Sequence, residues 1–95
     1  MPLYGHVVLI VEPDTSFVSE LQDAIDIDRG ESIGAHDPAA ALARCATFRF
    51  TAALVNTRHR DMVGKLMMPV VLYHTQEGYR SVLVRLKMLL SAGRP

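Results

Sequence analysis

Polar residues that could do chemistry stand at the ends of three apolar runs in the sequence: Glu12, Asn56, and the pair His74 and Thr75. If these runs are parallel strands, their carboxyl ends share one edge of a sheet, which is the usual ligand crevice of an open α/β fold. Glu12, Asp14 and the Asn56 carbonyl could together hold a metal ion, but two carboxylates without a phosphate make at best a weak magnesium site. We therefore favour a hydrogen-bonded polar cluster that holds no ligand.

Other catalytic patterns are missing from the sequence. The four histidines show no i, i+4 pairing and no cysteine companions, which argues against a zinc site. The single cysteine, Cys45, cannot form an internal disulfide, and its place on the inward face of an Ala-rich helix indicates a small buried hydrophobe. No Gly-rich phosphate loop occurs, and the triplet His59-Arg60-Asp61 matches a kinase catalytic loop by accident. We predict no enzymatic activity, no cofactor and no metal.

Length and composition set the class of protein. A chain of 95 residues has room for one domain, here residues 1–95 with a core at about 6–91. Its 49 % apolar content predicts a folded core, and a formal charge of zero excludes a generally basic nucleic-acid binder or a polybasic membrane patch. The longest apolar runs are too short to span a bilayer, and no export signal is visible, so we expect a soluble cytoplasmic domain without direct contact to nucleic acid or membrane.

The balanced charge hides an uneven distribution. Residues 1–37 carry eight acids and one base, whereas residues 38–95 carry nine bases and two acids, a net −7 against a net +7. Mutual compensation within one domain is the simpler interpretation. The alternative is a dipolar surface whose acidic side meets the basic side of a second copy.

Short apolar runs alternate with longer periodic segments, which predicts βαβ units and a parallel sheet. Strands are expected at residues 6–12, 31–36, 50–55 and 69–74. Asp14 or Thr15 begins a first helix that Gly30 stops, Asp37-Pro38 begins a second that ends near Thr47, and residues 60–67 and 79–91 form a short third and a long last helix. Right-handed crossovers then give an α/β fold: an open parallel sheet of four strands in the order 2-1-3-4, with helices on both faces.

Four segments, in order, resemble the receiver (CheY-like) domain of response regulators, which has a flavodoxin-like fold. Residues 8–14 resemble its first strand and acidic turn, and residues 37–43 its second helix start. Residues 50–56 resemble the third strand that leads to the phosphoacceptor, and residues 68–75 the fourth strand. The resemblance covers residues 6–75 and implies a bacterial two-component signalling context.

The residues at the implied phosphorylation site depart from the receiver pattern. Asn56 stands at the phosphoacceptor position, and its neutral amide is a poor nucleophile. Glu12 remains of the acidic pair, but Pro13 replaces the second acid and Asp14 comes one place later. His74 stands at the hydroxyl position, with Thr75 displaced by one, and a fifth strand with its lysine has no counterpart. The resemblance thus implies a truncated, degenerate receiver that is not phosphorylated.

The end of the sequence predicts a contact surface. Without a fifth strand, the apolar strand at 69–74 has an open edge that invites a partner, and the last helix has an apolar arc wider than one packing contact needs. The expected contact residues lie in these two segments: Val70, Val71, Leu72, Tyr73, Val82, Leu83, Val84, Leu86 and Met88.

These features predict a non-catalytic pseudo-receiver that acts as a protein–protein interaction or signalling-regulatory module. We expect a homodimer, with another signalling protein as a further partner. The alternative is a small-ligand or anion-binding module that uses the crevice of Glu12, Asn56, His74 and Thr75.

Overall fold

A four-stranded parallel sheet organises the protein, and the computed structural model describes residues 3–92. The elements are β1 (Val7–Val11), α1 (Thr15–Ile27), β2 (Glu31–Ala35), α2 (Pro38–Thr47), β3 (Ala52–Asn56), a 3-10 helix (Thr57–Lys65), β4 (Val70–Tyr73) and α3 (Tyr79–Ala92). The strand order is β2-β1-β3-β4 and every pair is parallel. The predicted α/β fold and strand order are confirmed.

Side-chain caps fix the starts of the first two helices, as predicted. Asp14 accepts a hydrogen bond from the Ser16 amide at 2.9 Å and so begins α1. Asp37 accepts one from the Ala40 amide at 2.7 Å, and Pro38 occupies the first turn of α2. Each cap satisfies a first-turn backbone amide that has no partner within the helix, and it thereby fixes where the helix begins.

The sheet separates two apolar layers. Alternate strand residues such as Ile10 and Leu54 point to one face, where α1 and α3 cover them with Leu21, Ile25 and Leu86. The neighbouring strand residues, such as Leu9 and Val55, point to the other face, where α2 and the 3-10 helix cover them. The two central strands, β1 and β3, are buried on both faces, which explains their continuous apolar runs.

The position of α3 shows how the sheet stops at β4. Successive right-handed crossovers from β2 to β3 to β4 place their connections on the face of α2. A crossover to a further strand beside β4 would use that same face. Helix α3 lies on the opposite face, beside α1. Helix α3 therefore completes the helical layer that α1 begins. Residues 3–92 contain no fifth strand.

Two local predictions were wrong. The segment expected as an α-helix at 60–67 is a 3-10 helix over Thr57–Lys65, kinked at His59. Gly64 lowers the α-helix propensity of this short segment, and short connecting segments often adopt 3-10 turns. The left-handed residue after α1 is Arg29, with φ of 67°, and not Gly30. Gly30 serves close packing, since a Cβ there would lie 2.8 Å from Leu3 Cβ.

None of the helices in the described part of the chain combines the length and apolar character that crossing a bilayer requires.

Candidate functional site

The carboxylate of Glu12 lies at the centre of a buried polar cluster at the carboxyl edge of the sheet. Its side chain is only 2 % exposed. Oε2 accepts a hydrogen bond from the Asp14 amide at 2.8 Å. Oε1 accepts two, from Asn56 Nδ2 at 3.0 Å and from the Tyr73 hydroxyl at 2.6 Å. Three donors thus compensate the burial of this carboxylate, as a buried acidic group requires.

Asn56, the last residue of β3, is fully buried and uses its whole amide within the cluster. Nδ2 donates to Glu12 and also to Thr75 Oγ1 at 3.2 Å, and Oδ1 accepts from the Arg58 amide at 2.9 Å. Because its oxygen is taken by a backbone donor, the amide nitrogen must face Glu12. The residue at the predicted phosphoacceptor position is therefore a structural connector between two strands and a loop.

Tyr73 belongs to this cluster, although the sequence predicted it to be part of the contact surface. Its ring lies in the core, 5.6 Å from the ring of Phe17, and its hydroxyl extends to Glu12. Burial, followed by the hydrogen bond to Glu12 and the charge of that carboxylate, raises the pKa of Tyr73 well above its ordinary value. A signal for this role existed: a tyrosine in an otherwise apolar buried strand needs a partner for its hydroxyl.

The other predicted residues of the site lie around this cluster. Asp14 points its side chain at the start of α1, and Pro13 is exposed beside it. Thr75 touches Asn56 from an exposed loop, whereas His74 is exposed and its side chain makes no contact with the cluster. The structure thus unites Glu12 and Asn56 with Thr75, but it directs the predicted second acid and the histidine elsewhere.

This arrangement leaves little chemistry open to the cluster. The nucleophile position carries an amide, and the one carboxylate that faces it is already hydrogen-bonded to three donors. Within residues 3–92 no group of three or more His, Cys, Asp or Glu side chains is arranged to hold a metal ion. The donors and acceptors of the cluster instead satisfy one another, and their hydrogen bonds connect β1, β3 and β4 at one edge of the sheet.

The predicted contact surface is narrower than the sequence indicated. Five of its residues are buried inside this chain and cannot form a surface: Val71, Tyr73, Val82, Leu83 and Leu86. Val70 and Leu72 are half-buried. Only Val84 and Met88, which are 57 % and 66 % exposed, present their side chains to solvent on α3. The predicted surface was too large because α3 is a core helix: most of its apolar residues pack against the sheet.

The outer edge of β4 is partly closed by Arg85. The Pro69 carbonyl accepts from the Ala53 amide, so alternate residues of β4 face β3 and the carbonyl of Leu72 faces outward. Arg85 Nη2 donates to that carbonyl at 2.6 Å, and its Nη1 pairs with Glu77 at 2.9 Å. A charged side chain on a strand edge opposes pairing with another strand. The prediction of an open edge is therefore wrong at Leu72.

Ion pairs also neutralise most of the charge on α3. Arg85 is paired with Glu77, and Lys87 with Asp28 at the end of α1. Burial raises the pKa of Glu77, but hydrogen bonds from Ser81 and Arg85 and the Arg85 charge outweigh it, so the pKa lies below its ordinary value. The exposed stripe of Val84 and Met88 is thus bordered by bases that are mostly compensated.

No protein-family model matches the chain, and no curated protein matches it either.

Proposed function

We propose that this chain is a non-catalytic pseudo-receiver of a bacterial two-component pathway. In this proposal it is not phosphorylated, and it acts in the cytoplasm as a protein–protein interaction or signalling-regulatory module. The resemblance of residues 8–14, 37–43, 50–56 and 68–75 to receiver domains supports this assignment, and the four-stranded parallel fold is compatible with it. Activity itself does not follow from such a likeness, because it depends on the site residues.

The closed hydrogen-bond cluster is the observation that carries the proposal. Phosphoryl transfer to a receiver needs a free carboxylate as nucleophile and acidic groups that hold a metal. Here the amide of Asn56 donates to Glu12, and the Tyr73 hydroxyl and the Asp14 amide donate to the same carboxylate. Opening this cluster to a metal would strip a buried carboxylate of its donors, which is energetically costly.

The contact surface in this proposal is the outer side of α3, with a second copy as the partner. Val84 and Met88 stand one turn apart and are exposed, so they form an apolar stripe. Because Arg85 and Lys87 are paired with acids of their own chain, two such helices can approach with little like-charge repulsion. A homodimer through this stripe, or its occupation by another signalling protein, gives the module its interaction.

The same contacts weigh against the small-ligand alternative in the crevice of Glu12, Asn56, His74 and Thr75. A ligand there would have to compete with the three donors to Glu12 and with the partners of the Asn56 amide, and both side chains are buried. No specific contact favours that alternative, and we do not carry it further.

The absence of phosphorylation is tested by mass. The full chain is incubated with acetyl phosphate and Mg²⁺, next to a phosphorylatable receiver as positive control, and both intact masses are measured. We expect a phosphoryl adduct on the control and none on this chain. An adduct on this chain that maps to residues 12–14 or 56 overturns the proposal.

The contact surface is tested by light scattering over a dilution series. We expect a dimer for the wild type and a monomer for Val84→Lys combined with Met88→Lys. The control is Ile27→Lys, because Ile27 is an apolar residue of α1 that is 81 % exposed and lies outside the proposed surface. Circular dichroism checks that each variant is folded. A wild type that stays monomeric at high micromolar concentration contradicts the homodimer.

A further inference from the structure

A second feature lies at the opposite end of the sheet from the Glu12 cluster. Between the end of α2, the 3-10 helix and the residues that precede β3 and β4 is a cavity of about 290 Å³. Its walls are apolar and come from Phe48, Phe50, Met67 and Met68, with the Cys45 thiol among them. This amino-end pocket is at the lower size limit of small-ligand sites, so it fits a compact apolar group.

Large apolar side chains of the amino-end pocket are open to solvent. Met67 is 97 % exposed and Phe48 is 42 % exposed, while the ring of Phe50 is buried at 6.2 Å from that of Phe48. Exposed apolar side chains that adjoin a concave surface are typical of a place where something binds. The adjustable thioether chains of Met67 and Met68 can follow the shape of an apolar guest.

Two bases complete the lining of the amino-end pocket. Arg49 and Lys65 both belong to it, and within residues 3–92 neither side chain takes part in an ion pair or a hydrogen bond. No acid lines the pocket. Burial raises the pKa of Cys45, so the thiol stays neutral and adds no negative charge near neutral pH. An anionic head group placed beside Arg49 and Lys65 therefore meets two bases and no acid of the pocket's own lining.

A neighbouring groove shows that this charge pattern is local. The groove of about 550 Å³ on the other side of Phe48 and Arg49 is lined by Asp23, Asp26 and Glu31. Three carboxylates there repel an anion. In the amino-end pocket, by contrast, apolar walls adjoin two bases that form no ion pair in the described part of the chain, and no acid belongs to the lining.

We propose that the amino-end pocket binds a small amphiphilic carboxylate, with its apolar body among Phe48, Phe50 and Met68 and its head beside Arg49 and Lys65. The pocket lies at the amino ends of the strands and shares no residue with the Glu12 cluster or with the stripe of Val84 and Met88. Binding there is a property separate from the interaction function proposed above.

The test uses three probes with the same chain length: octanoate, octanol and octylamine. They are titrated into the full chain while amide NMR shifts are followed. We expect octanoate to shift the amides around residues 48–50 and 67–68 and to bind about tenfold more tightly than octanol, and octylamine to bind more weakly than both. Equal affinity for octanoate and octanol overturns the proposal, as does a shift pattern located elsewhere.

The single thiol supplies an independent readout. Since Cys45 is the only cysteine and lines the pocket, its alkylation by N-ethylmaleimide reports occupancy. We expect octanoate to slow alkylation several-fold at saturation. An unchanged rate at saturating octanoate means that the pocket is empty and overturns the proposal.

Charge variants separate head-group recognition from general attraction. Arg49→Gln combined with Lys65→Gln is expected to weaken octanoate binding about tenfold and to leave octanol binding unchanged. Arg58→Gln combined with Arg60→Gln removes the same charge from exposed residues outside the pocket and is expected to change neither. Met67→Gln changes a side chain that is almost fully exposed and therefore contributes little to the core. It is expected to weaken the binding of both octanoate and octanol. Equal losses in the two double variants overturn the proposal.

Discussion

The hydroxyl of Tyr73 on β4 donates a hydrogen bond of 2.6 Å to Glu12 at the end of β1, although β3 lies between these two strands. The side-chain amide of Asn56, at the end of β3, donates a hydrogen bond of 3.0 Å to the same carboxylate oxygen. Glu12 is therefore the point at which three strands are connected by side chains, in addition to the backbone ladder. This connection occupies the carboxyl edge of the sheet, where open α/β folds usually bind their ligands.

Removing the hydroxyl should destabilise the fold. Tyr73→Phe keeps the ring against Phe17 but leaves Glu12 with two donors, and we expect a loss of about 1.5–3 kcal/mol in the free energy of unfolding, measured with urea. Tyr79→Phe is the matched control, because the Tyr79 hydroxyl contacts only the exposed Arg80. We expect a change there of less than about 0.5 kcal/mol. Equal losses in the two variants would contradict the role of the Glu12 contact.

Tyr73 should also make the protein sensitive to alkali. Its pKa is raised in the folded state above the ordinary value of 10.0, so above pH 10 the unfolded chain releases a proton that the folded chain retains. Stability therefore falls as pH rises above that value, by up to about 1.4 kcal/mol per pH unit from this group. Urea unfolding at pH 9 and pH 11 should show a smaller drop for Tyr73→Phe than for the wild type. An identical drop would show that other groups dominate.

Introducing an acid at the end of β3 should harm stability. Asn56→Asp replaces the donor that faces Glu12 with a carboxylate oxygen at about the same 3.0 Å separation. Two buried carboxylates in contact should cost about 3–5 kcal/mol at pH 8. The penalty should shrink as pH falls, since one carboxyl can then take up a proton and donate it to the other. Asn56→Ala, which adds no charge, should lose less at pH 8, and urea unfolding at pH 5 and pH 8 distinguishes the two variants.

Arg85 should matter more for solubility than for stability. Arg85→Ala breaks a half-exposed ion pair, so the loss in unfolding free energy should stay near 0.5–1 kcal/mol. It also frees the outward carbonyl of Leu72, and we expect concentration-dependent aggregation in light scattering. Arg80→Ala removes a base that contacts Tyr79 and not the strand edge, and it should remain dispersed. If both variants aggregate alike, charge loss alone is responsible.

The turn after α1 should respond in opposite directions to two glycine changes. Gly30→Ala places a Cβ 2.8 Å from Ile25 Cγ2 and Leu3 Cβ, and we expect a loss of about 1–3 kcal/mol. Arg29→Gly removes a side chain from a residue with φ of 67°, and we expect a gain of about 1 kcal/mol. Thermal and urea unfolding measure both. A loss in Arg29→Gly would mean that the arginine side chain contributes more than its backbone strain costs.

Much of the fold follows from local sequence patterns. The alternation of apolar runs and helical segments predicts parallel strands, and the handedness of crossovers fixes their order. Caps such as Asp14 and Asp37 involve residues two or three positions apart, so they are readable from the sequence. The 3-10 helix is different, because its short length and Gly64 leave the choice of helix type to packing against β3 and β4.

The contacts that define the site depend on long-range geometry. Glu12 and Asn56 could be placed together because both end parallel strands. The hydroxyl of Tyr73 reaches a partner 61 residues away, and Arg85 reaches a carbonyl 13 residues away on another element. The first depends on how β4 lies relative to β1 and the second on how α3 lies relative to β4, and no local pattern encodes either. For this reason the sequence placed Tyr73 on a surface and left the edge of β4 uncovered.

The two layers of the fold are unequal in a way that bears on motion. One face carries two full α-helices, whereas the other relies on α2 and a 3-10 helix whose hydrogen bonding is poorer. The weaker layer is where transient local opening requires the least free energy. Such local opening would separate the 3-10 helix from α2 while the layer of α1 and α3 stays intact.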